Sequence, residues 1–380
     1  FAVLIATFML GFAWASENEA HADHSAHNHD HSHAEEAHHE AGHGGHDEEF
    51  NVTKTIMEHI SDAHEYHLWG GHLNGTSIYL PVILMDEGLK TFSSTHFYHG
   101  ETGHAVDHET GEVHEFHIGV EDAEGYALFE ETIYKLEDGQ LNVTNGSVSN
   151  VAPLDLSVTR NVVALFLSFI VVILLMFGAA KFYKSNGAVA PKGLAKFVEP
   201  IVLFVRDDIA KDNIGEEKYK RYLPFLLTIF FFIWVSNLLG TIPIVGSNLT
   251  GNIAVTMFLA ICTLLMTVFS GNKNYWMHIF ATPGVPKPLL LIMIPIEIVG
   301  VFTKPFALMI RLFANITAGH IIILALVSII FINKSAAWGA LSVPMTLFIS
   351  VLELLVAFLQ AYLFAMLSAL FIGAAVEDHH

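Results

Sequence analysis

The sequence predicts an all-α polytopic membrane protein of about five to six membrane helices, the last two long and strongly tilted, preceded by a small β-rich extracytoplasmic domain. Charge is the first observation behind this fold class. Residues before Leu156 include 28 acidic and 3 basic side chains, whereas the rest of the chain has 10 acidic and 15 basic ones. The second observation is hydropathy: long apolar runs without charged residues follow Leu156. This contrast is typical of a soluble domain joined to a membrane domain.

Residues 1–15, FAVLIATFMLGFAWA, form an apolar run that ends in the small-x-small triplet Ala13-Trp14-Ala15. Such a run is typical of the hydrophobic region and cleavage site of a secretory signal peptide. A short extra membrane helix is the alternative, although the run is too short to span a bilayer comfortably. With a signal peptide, the acidic region that follows would lie outside the cytoplasm.

Residues 16–49 contain ten histidines interleaved with Asp, Glu, Ala and Gly. A segment with so few apolar side chains cannot bury a core, so we expect a disordered, solvated tail. Imidazoles beside carboxylates could also bind zinc, copper or nickel loosely, or buffer protons near a membrane surface. The spacing of the histidines is irregular and defines no closed metal site.

Residues 50–155 are predicted to form a globular, strand-rich domain. TSIYLPVIL, EFHIGV and YALFEETIYKL carry β-branched and aromatic residues, and the turn signals EDGQ and TNGS follow them. The residues of this domain do not indicate its function. Two histidine pairs are weak metal-ligand candidates, His64 with His67 and His114 with His117.

The second half, residues 156–380, is predicted to be a membrane domain. Charge-free runs at 162–180, 223–246 and about 253–270 are long enough to cross a bilayer. Two longer apolar segments, about 289–332 and 336–376, exceed the roughly 20 residues that an upright span needs, so they must tilt, bend or lie partly in the membrane plane.

Lysines follow the first predicted span directly, which makes that end cytoplasmic by the positive-inside rule and agrees with an exported N-terminus. After them, residues 197–222 are charged and amphipathic, and we expect them to lie along the cytoplasmic face of the membrane. The four lysines are Lys181, Lys184, Lys192 and Lys196.

The two long segments also hold ionisable residues. Arginine at a bilayer centre costs roughly 2.5–3.5 kcal/mol on insertion scales, so Arg311 needs a partner or a wet cavity. Arg311 has no acidic residue within one helical turn in sequence, and a carboxylate from another chain would meet the need. Helical spacing places Glu297, Lys304, Arg311 and Asn315 on one face and points His320 toward another helix. On the last helix, Glu353 and Gln360 share a face. Buried ion pairs that lock the helix packing are the structural alternative.

Three stretches resemble a known family. IPIEIVGVFTKPFALMIRLFANITAGH, followed by FISVLELLVAFLQAYLFAMLSALFI, is similar to subunit a of the F-type ATP synthase, and FFFIWVSNLLGTIP resembles an earlier membrane signature of that family. The resemblance covers roughly residues 155–376. It implies a proton path beside a rotating ring of c subunits, each with a membrane-buried carboxylate.

The resemblance also implies roles for individual residues. Arg311 matches the essential arginine, which attracts the deprotonated ring carboxylate and blocks a proton leak between two aqueous half-channels. Glu297 matches the glutamate of the cytoplasmic half-channel, and Asn315 and Gln360 match flanking polar positions. The remaining expected members of the proton path are Lys304 and, in the outer half-channel, His320 and Glu353, with Ser236, Asn237, Asn248 and Asn252 as weaker candidates.

The expected setting is a multi-pass protein of the bacterial inner membrane with its N-terminal domain in the periplasm. The implied partners are the c-ring, b-type peripheral-stalk subunits and the lipid bilayer, with no nucleic acid. No cofactor is expected, and the chain is expected to be a non-catalytic subunit without a site for ATP chemistry. Sodium remains an alternative coupling ion. A metal-ion transporter with a cation-collecting histidine tail, or an exported binding module tethered by the membrane part, are the competing functions.

Overall fold

The computed structural model describes residues 56, 61–69, 76–86, 88–107, 109–111, 113–187, 189–242, 248–280, 286–333 and 335–377. The predicted signal peptide (1–15) and histidine-rich tail (16–49) lie outside the described residues, as does the side chain of His67.

The predicted β-rich region is confirmed as a set of small antiparallel sheets, which we call the β-rich domain (residues 65–155). Its two larger sheets have the strand orders β11-β3-β4 and β5-β6-β7-β8, and β1 pairs with β2 and β9 with β10. A one-turn helix, α1 (Thr95–Tyr98), follows β4. The strands are β1 (Glu65–Trp69), β2 (Thr76–Tyr79), β3 (Pro81–Met85), β4 (Leu89–Ser93), β5 (Thr102–Val106), β6 (Val113–Ile118), β7 (Tyr126–Phe129), β8 (Thr132–Lys135), β9 (Val143–Thr144), β10 (Ser147–Val148) and β11 (Leu154–Asp155).

Three tight turns organise this domain. The predicted turns EDGQ and TNGS are confirmed, with positive φ at Asp138 (52°) and Asn145 (52°), each followed by a glycine that also has positive φ. A further turn joins β7 to β8 through Glu130 (φ 46°) and Glu131 (φ 63°). Two consecutive left-handed residues suit a two-residue hairpin, but glutamate rarely adopts this backbone conformation. The turn brings the Glu131 carboxylate to the backbone N–H of His64, at 3.3 Å.

Five helices of the described chain are long and apolar enough to cross a membrane, which confirms the predicted polytopic architecture. The last two are much longer than a bilayer is thick. The 46-residue one would be about 69 Å long if straight, against about 30 Å of hydrocarbon. The five are α2 (Arg160–Asn186), α4 (Tyr219–Gly240), α5 (Ile253–Ser270), α7 (Lys287–Ile332) and α8 (Gly339–Val376).

The amphipathic stretch that was predicted over 197–222 begins earlier and ends sooner. Helix α3 (Leu194–Phe204) continues through a π-helical segment, Val205–Lys211, and a last short turn, Asp212–Ile214. Its end packs against α8, where a Cβ atom at Gly373 would collide with the backbone carbonyl oxygen of Asn213. This contact requires glycine because the two backbones approach too closely for any side chain.

Helix α4 forms the centre of the membrane core, and α8 packs along it. Phe230, Phe231 and Ile233 of α4 are fully buried. On α8 the buried positions include a series of alanines. Hydrophobic burial does not drive helices together in lipid, and small residues stabilise the contact instead because they let neighbouring backbones pack closely. These are Ala357, Ala361, Ala365 and Ala369.

The carboxyl end of α8 is tied to two other segments. Lys218 Nζ donates a hydrogen bond to the carbonyl oxygen of Val376 at 2.7 Å, and Asn272 Nδ2 donates to the same oxygen at 2.9 Å. Both donors satisfy a carbonyl that has no partner within its own helix. A short helix, α6 (Lys273–Phe280), follows Asn272.

Candidate functional site

Helix α7 presents a row of ionisable and polar side chains on its outer surface. Lys304, Arg311 and Asn315 are exposed and Glu297 is half-buried. The intervals of seven and four residues place all four on one side of a helix with 3.6 residues per turn. The predicted shared face is therefore present, and three of its four side chains are exposed.

Arg311 makes no ion pair with any acidic side chain in the described part of the chain. Its guanidinium carries a permanent charge and five N–H donors. Exposing that group to hydrocarbon is expensive, so Arg311 requires water or a carboxylate from outside the described chain. The structural alternative, in which an acidic residue of the same chain neutralises Arg311, is not met among the described residues.

His320 and Glu353 face each other across α7 and α8. Nδ1 of His320 lies 3.5 Å from Oε1 of Glu353, and Glu353 is only 8% exposed. An imidazole and a carboxyl group can each bind or release a proton, so this pair can pass a proton in either order. The prediction that His320 points away from the Arg311 face and toward another helix agrees with this contact.

Gly319 makes room for the pair. A Cβ atom at this position would lie 3.2 Å from Oε1 of Glu353, which is tighter than an ordinary van der Waals contact. Gly319 is the last residue of the Arg-Leu-Phe-x-Asn-x-x-x-Gly motif, which begins at Arg311 and is part of the family resemblance. The resemblance gave it no role of its own.

Polar side chains of α4 lie buried near α8. Asn237 is 4% exposed; its Nδ2 donates to the carbonyl oxygen of Ala357 at 3.4 Å, and its Oδ1 accepts a hydrogen bond from Thr250 Oγ1 at 2.5 Å. The hydroxyl oxygen of Ser236 is buried and has no hydrogen-bond partner among the described residues. Ala357 lies on α8 between Glu353 and Gln360, both of which are buried. Thr250 was not predicted, because a threonine in a loop carries no distinguishing pattern.

Asn248 and Asn252 have local structural roles. The side chain of Asn248 accepts a hydrogen bond from the backbone N–H of Gly251 at 3.0 Å, and that of Asn252 accepts one from Ala254 at 2.9 Å. Asparagine at a helix N-cap satisfies a backbone N–H that lacks an intrahelical partner. These capping bonds account for the side-chain oxygen atoms of both residues.

Lys304 and Glu297 lie away from the histidine–glutamate pair. The Lys304 amine stands 5.7 Å from the centre of the Phe371 ring, a cation–π distance, and lines a small cavity together with Tyr275 and Thr267. No ion pair of Glu297 occurs within the described part of the molecule. Both side chains thus remain available to water or to another chain.

Among the described residues of the β-rich domain, no group of three or more His, Cys, Asp or Glu side chains could hold a metal ion. His114 and His117 are three apart on β6, so they point to opposite faces of the sheet. The centre of the His114 ring lies 5.8 Å from the centre of the Phe129 ring, and that of His117 lies 5.5 Å from the centre of the Tyr98 ring. His64 is buried between two carboxylates.

Ionisable residues inside membrane-spanning helices are expensive, so their presence on α7 and α8 is typical of a polytopic membrane protein in which these groups have a function. The family model described as ATP synthase A chain matches residues 162–373. The chain belongs to this family of membrane subunits.

Similar proteins carry matching names. The chain is 49% identical over 235 residues to ATP synthase subunit a of Chloroherpeton thalassium, covering 60% of this chain and 70% of that one. It is 52% identical over 239 residues to ATP synthase subunit a 2 of Chlorobaculum tepidum, covering 60% and 67%. For ATP synthase subunit a of Myxococcus xanthus the identity is 47% over 233 residues, covering 60% and 75%.

A second family model matches the β-rich domain. Residues 55–156 match a domain of unknown function, DUF8433. This match ends at residue 156 and the ATP synthase A chain match begins at residue 162, so the boundary between them lies at the start of α2, where the composition of the sequence changes.

Proposed function

We propose that this chain is the proton-translocating stator subunit of an F-type ATP synthase, and that two aqueous half-channels in it load and unload carboxylates of the c-ring. The observation that carries the proposal is Arg311, which is exposed on α7 and lacks an acidic partner in the described chain. A permanent cation on a membrane helix needs a counter-charge. A ring carboxylate that arrives, ionises and leaves would supply one transiently.

Solvation and the charge of Arg311 together determine where a ring carboxylate would hold its proton and where it would release it. A ring carboxylate that faces lipid keeps its proton, because a low dielectric disfavours the charged form. Beside Arg311 the ionised form is stabilised, so the proton is released there. One charge that moves through 100 mV supplies about 2.3 kcal/mol, so several protons must be coupled to each chemical event.

Different residues would serve the two half-channels. His320 and Glu353 are the proposed relay of the outer half-channel, with Ser236 and Asn237 as buried polar groups of α4 beside α8. Gln360 of α8 is proposed as a polar group that flanks the Arg311 site. Glu297 and Lys304 are proposed for the cytoplasmic half-channel, and Asn315 for the surface around Arg311. Asn248 and Asn252 are weaker candidates for the outer half-channel, since capping already accounts for their side chains.

We also propose the arrangement of the whole chain. A signal peptide (1–15) and a histidine-rich tail (16–49) precede an exported domain (50–155) in the periplasm, and the membrane domain (156–380) lies in the bacterial inner membrane. The lysines in the last turns of α2 and directly after it support this orientation by the positive-inside rule. The proposed partners are the c-ring and the b-type subunits of the peripheral stalk.

The test of the function is Arg311→Ala in the assembled enzyme, measured as ATP-driven acidification of inverted membrane vesicles. We expect coupled proton pumping to be lost while the chain still co-purifies with the ring subunit. Arg206→Ala is the matched control: Arg206 is on the amphipathic stretch and forms an ion pair with Asp207 at 2.7 Å. Normal pumping by the Arg311 variant would refute the proposal.

A further inference from the structure

The start of the first membrane helix is bound to a segment nearly one hundred residues earlier in the chain. Thr159, at the N-cap of α2, makes no capping bond with its own side chain. Asp62 takes that role: its carboxylate accepts hydrogen bonds from the Asn161 backbone N–H at 3.0 Å and from the Thr159 hydroxyl at 2.9 Å. A carboxylate at a helix N-terminus satisfies free N–H groups and complements the helix dipole.

Arg160 strengthens the same connection. Its backbone N–H donates to the carbonyl oxygen of Ala63 at 3.0 Å, and its Nη2 donates to that of Ser61 at 2.7 Å. Two consecutive N–H groups of α2 and one guanidinium therefore bind residues 61–63. These residues lead directly into β1 of the β-rich domain.

His64, the next residue, is 2% exposed and lies between two carboxylates. Its Nε2 is 3.1 Å from Oδ2 of Asp155, and its Nδ1 is 3.8 Å from Oε2 of Glu131, an ion-pair distance longer than a hydrogen bond. Only the doubly protonated imidazolium presents an N–H to each carboxylate. A neutral ring would turn a lone pair toward one of them.

We propose that Asp62, His64, Glu131, Asp155 and Arg160 form an ionic joint that fixes the β-rich domain to the first membrane helix as one rigid body, and that the joint holds while His64 is protonated. The joint gathers one residue from each of several elements that are far apart in sequence. Asp155 belongs to β11, Glu131 to the β7–β8 turn, and Arg160 to α2.

The charges that face His64 support this state. Burial alone would lower the pKa of His64, but hydrogen bonds and the negative charges of Asp155 and Glu131 outweigh burial and raise the pKa to about 9. Tyr98 of α1 donates a hydrogen bond to Glu131 at 3.4 Å, and the positive charge of Arg160 lowers the pKa of Glu131 as a minor contribution. The imidazolium is thus the form present at neutral pH.

The joint would give the β-rich domain, which matches a family of unknown function, a fixed position relative to the first membrane helix. Any molecule that binds the β-rich domain would be held at a fixed position relative to α2. This inference does not depend on proton translocation, so it can fail while the proposed function stands, and the reverse.

The experiment is a distance measurement by pulsed electron resonance on the full chain in lipid nanodiscs. Spin labels are attached through Asp122→Cys, on the exposed surface of the β-rich domain, and Ser185→Cys, at the exposed end of α2. The only native cysteine, Cys262, is first replaced by Cys262→Ser. At neutral pH we expect a single narrow distance distribution, which broadens when the pH is raised above the His64 pKa of about 9.

Variants separate the joint from general effects of pH. His64→Gln is expected to give a broad distribution at neutral and high pH alike. His117→Gln is the control, because His117 contacts the Tyr98 ring but neither carboxylate of the joint. It should behave like the wild type. A wild-type distribution that is broad at neutral pH, or that stays narrow above pH 9, would overturn the inference, and the wild-type titration decides even if His64→Gln does not fold.

Discussion

The stability of the β-rich domain should depend on pH through His64, and its magnitude follows from the pKa. An ordinary histidine has a pKa of 6.5, and the folded domain raises that of His64 to about 9. Each pKa unit corresponds to 1.36 kcal/mol, so protonation of His64 contributes about 3 kcal/mol to the free energy of unfolding. That is a large share of the roughly 5–15 kcal/mol that a typical domain has in total.

The sign follows from which state binds the proton more tightly. Because the folded pKa lies above the unfolded one, the contribution is complete below pH 6.5 and is lost as the pH rises through about 9. At acidic pH the two carboxylates that face His64 have the opposite dependence, because folding lowers their pKa values. Burial would raise the pKa of Asp155 and of Glu131, but hydrogen bonds from His64 outweigh it and lower both values. Their contribution is lost as the pH falls through those lowered values.

The assay is pulse proteolysis in urea on the full chain in nanodiscs, over a series of pH values. We expect the wild type to lose about 3 kcal/mol of unfolding free energy between pH 6.5 and a pH above 9. His64→Gln should have a lower unfolding free energy than the wild type at neutral pH, and this free energy should change little between pH 6.5 and a pH above 9. If the two proteins lost stability in parallel as the pH rises, the assignment of this pH dependence to His64 would be wrong.

Three further substitutions test particular contacts. Asp62→Ala removes the cap of α2 and should lower the unfolding free energy by about 1 kcal/mol, measured by urea unfolding against the wild type. Gly373→Ala forces a Cβ atom against the Asn213 carbonyl oxygen and should reduce the yield of folded protein; a wild-type yield would contradict that close approach. Gly319→Val crowds the Glu353 carboxylate and should slow ATP-driven proton pumping without preventing assembly, whereas an unchanged pumping rate would show that the carboxylate has room to shift.

Much of the membrane half was predictable because its signals are local. A charge-free run such as 162–180 can satisfy its backbone in lipid only as a helix, and the structure has α2 there. The length of the apolar segments also predicted two helices too long for upright spans. The boundaries were less accurate. The apolar run predicted a span over 223–246, whereas α4 begins at Tyr219 and ends at Gly240. Its start was missed because the first turn is helical but polar, so hydropathy does not detect it.

The candidate site was predictable in part. Helical spacing gave the shared face of Lys304, Arg311 and Asn315 and the separate direction of His320, since 3.6 residues per turn fixes these directions. The partner of His320 could be inferred only through the family resemblance. The pairing of Asn237 with Thr250 was missed, because it depends on how a loop folds back over α4.

The amino-acid sequence by itself determined which segments enter the membrane, which face of α7 carries the charges, and that the acidic first half is a separate β-rich region. Periodicity and hydropathy act over a few neighbouring residues, so they can be read from the chain directly. Only the tertiary structure decided that Asp62 caps a helix 99 residues later, and that His64 lies between Glu131 and Asp155. Contacts between residues so far apart in sequence arise from packing, and no local pattern encodes them.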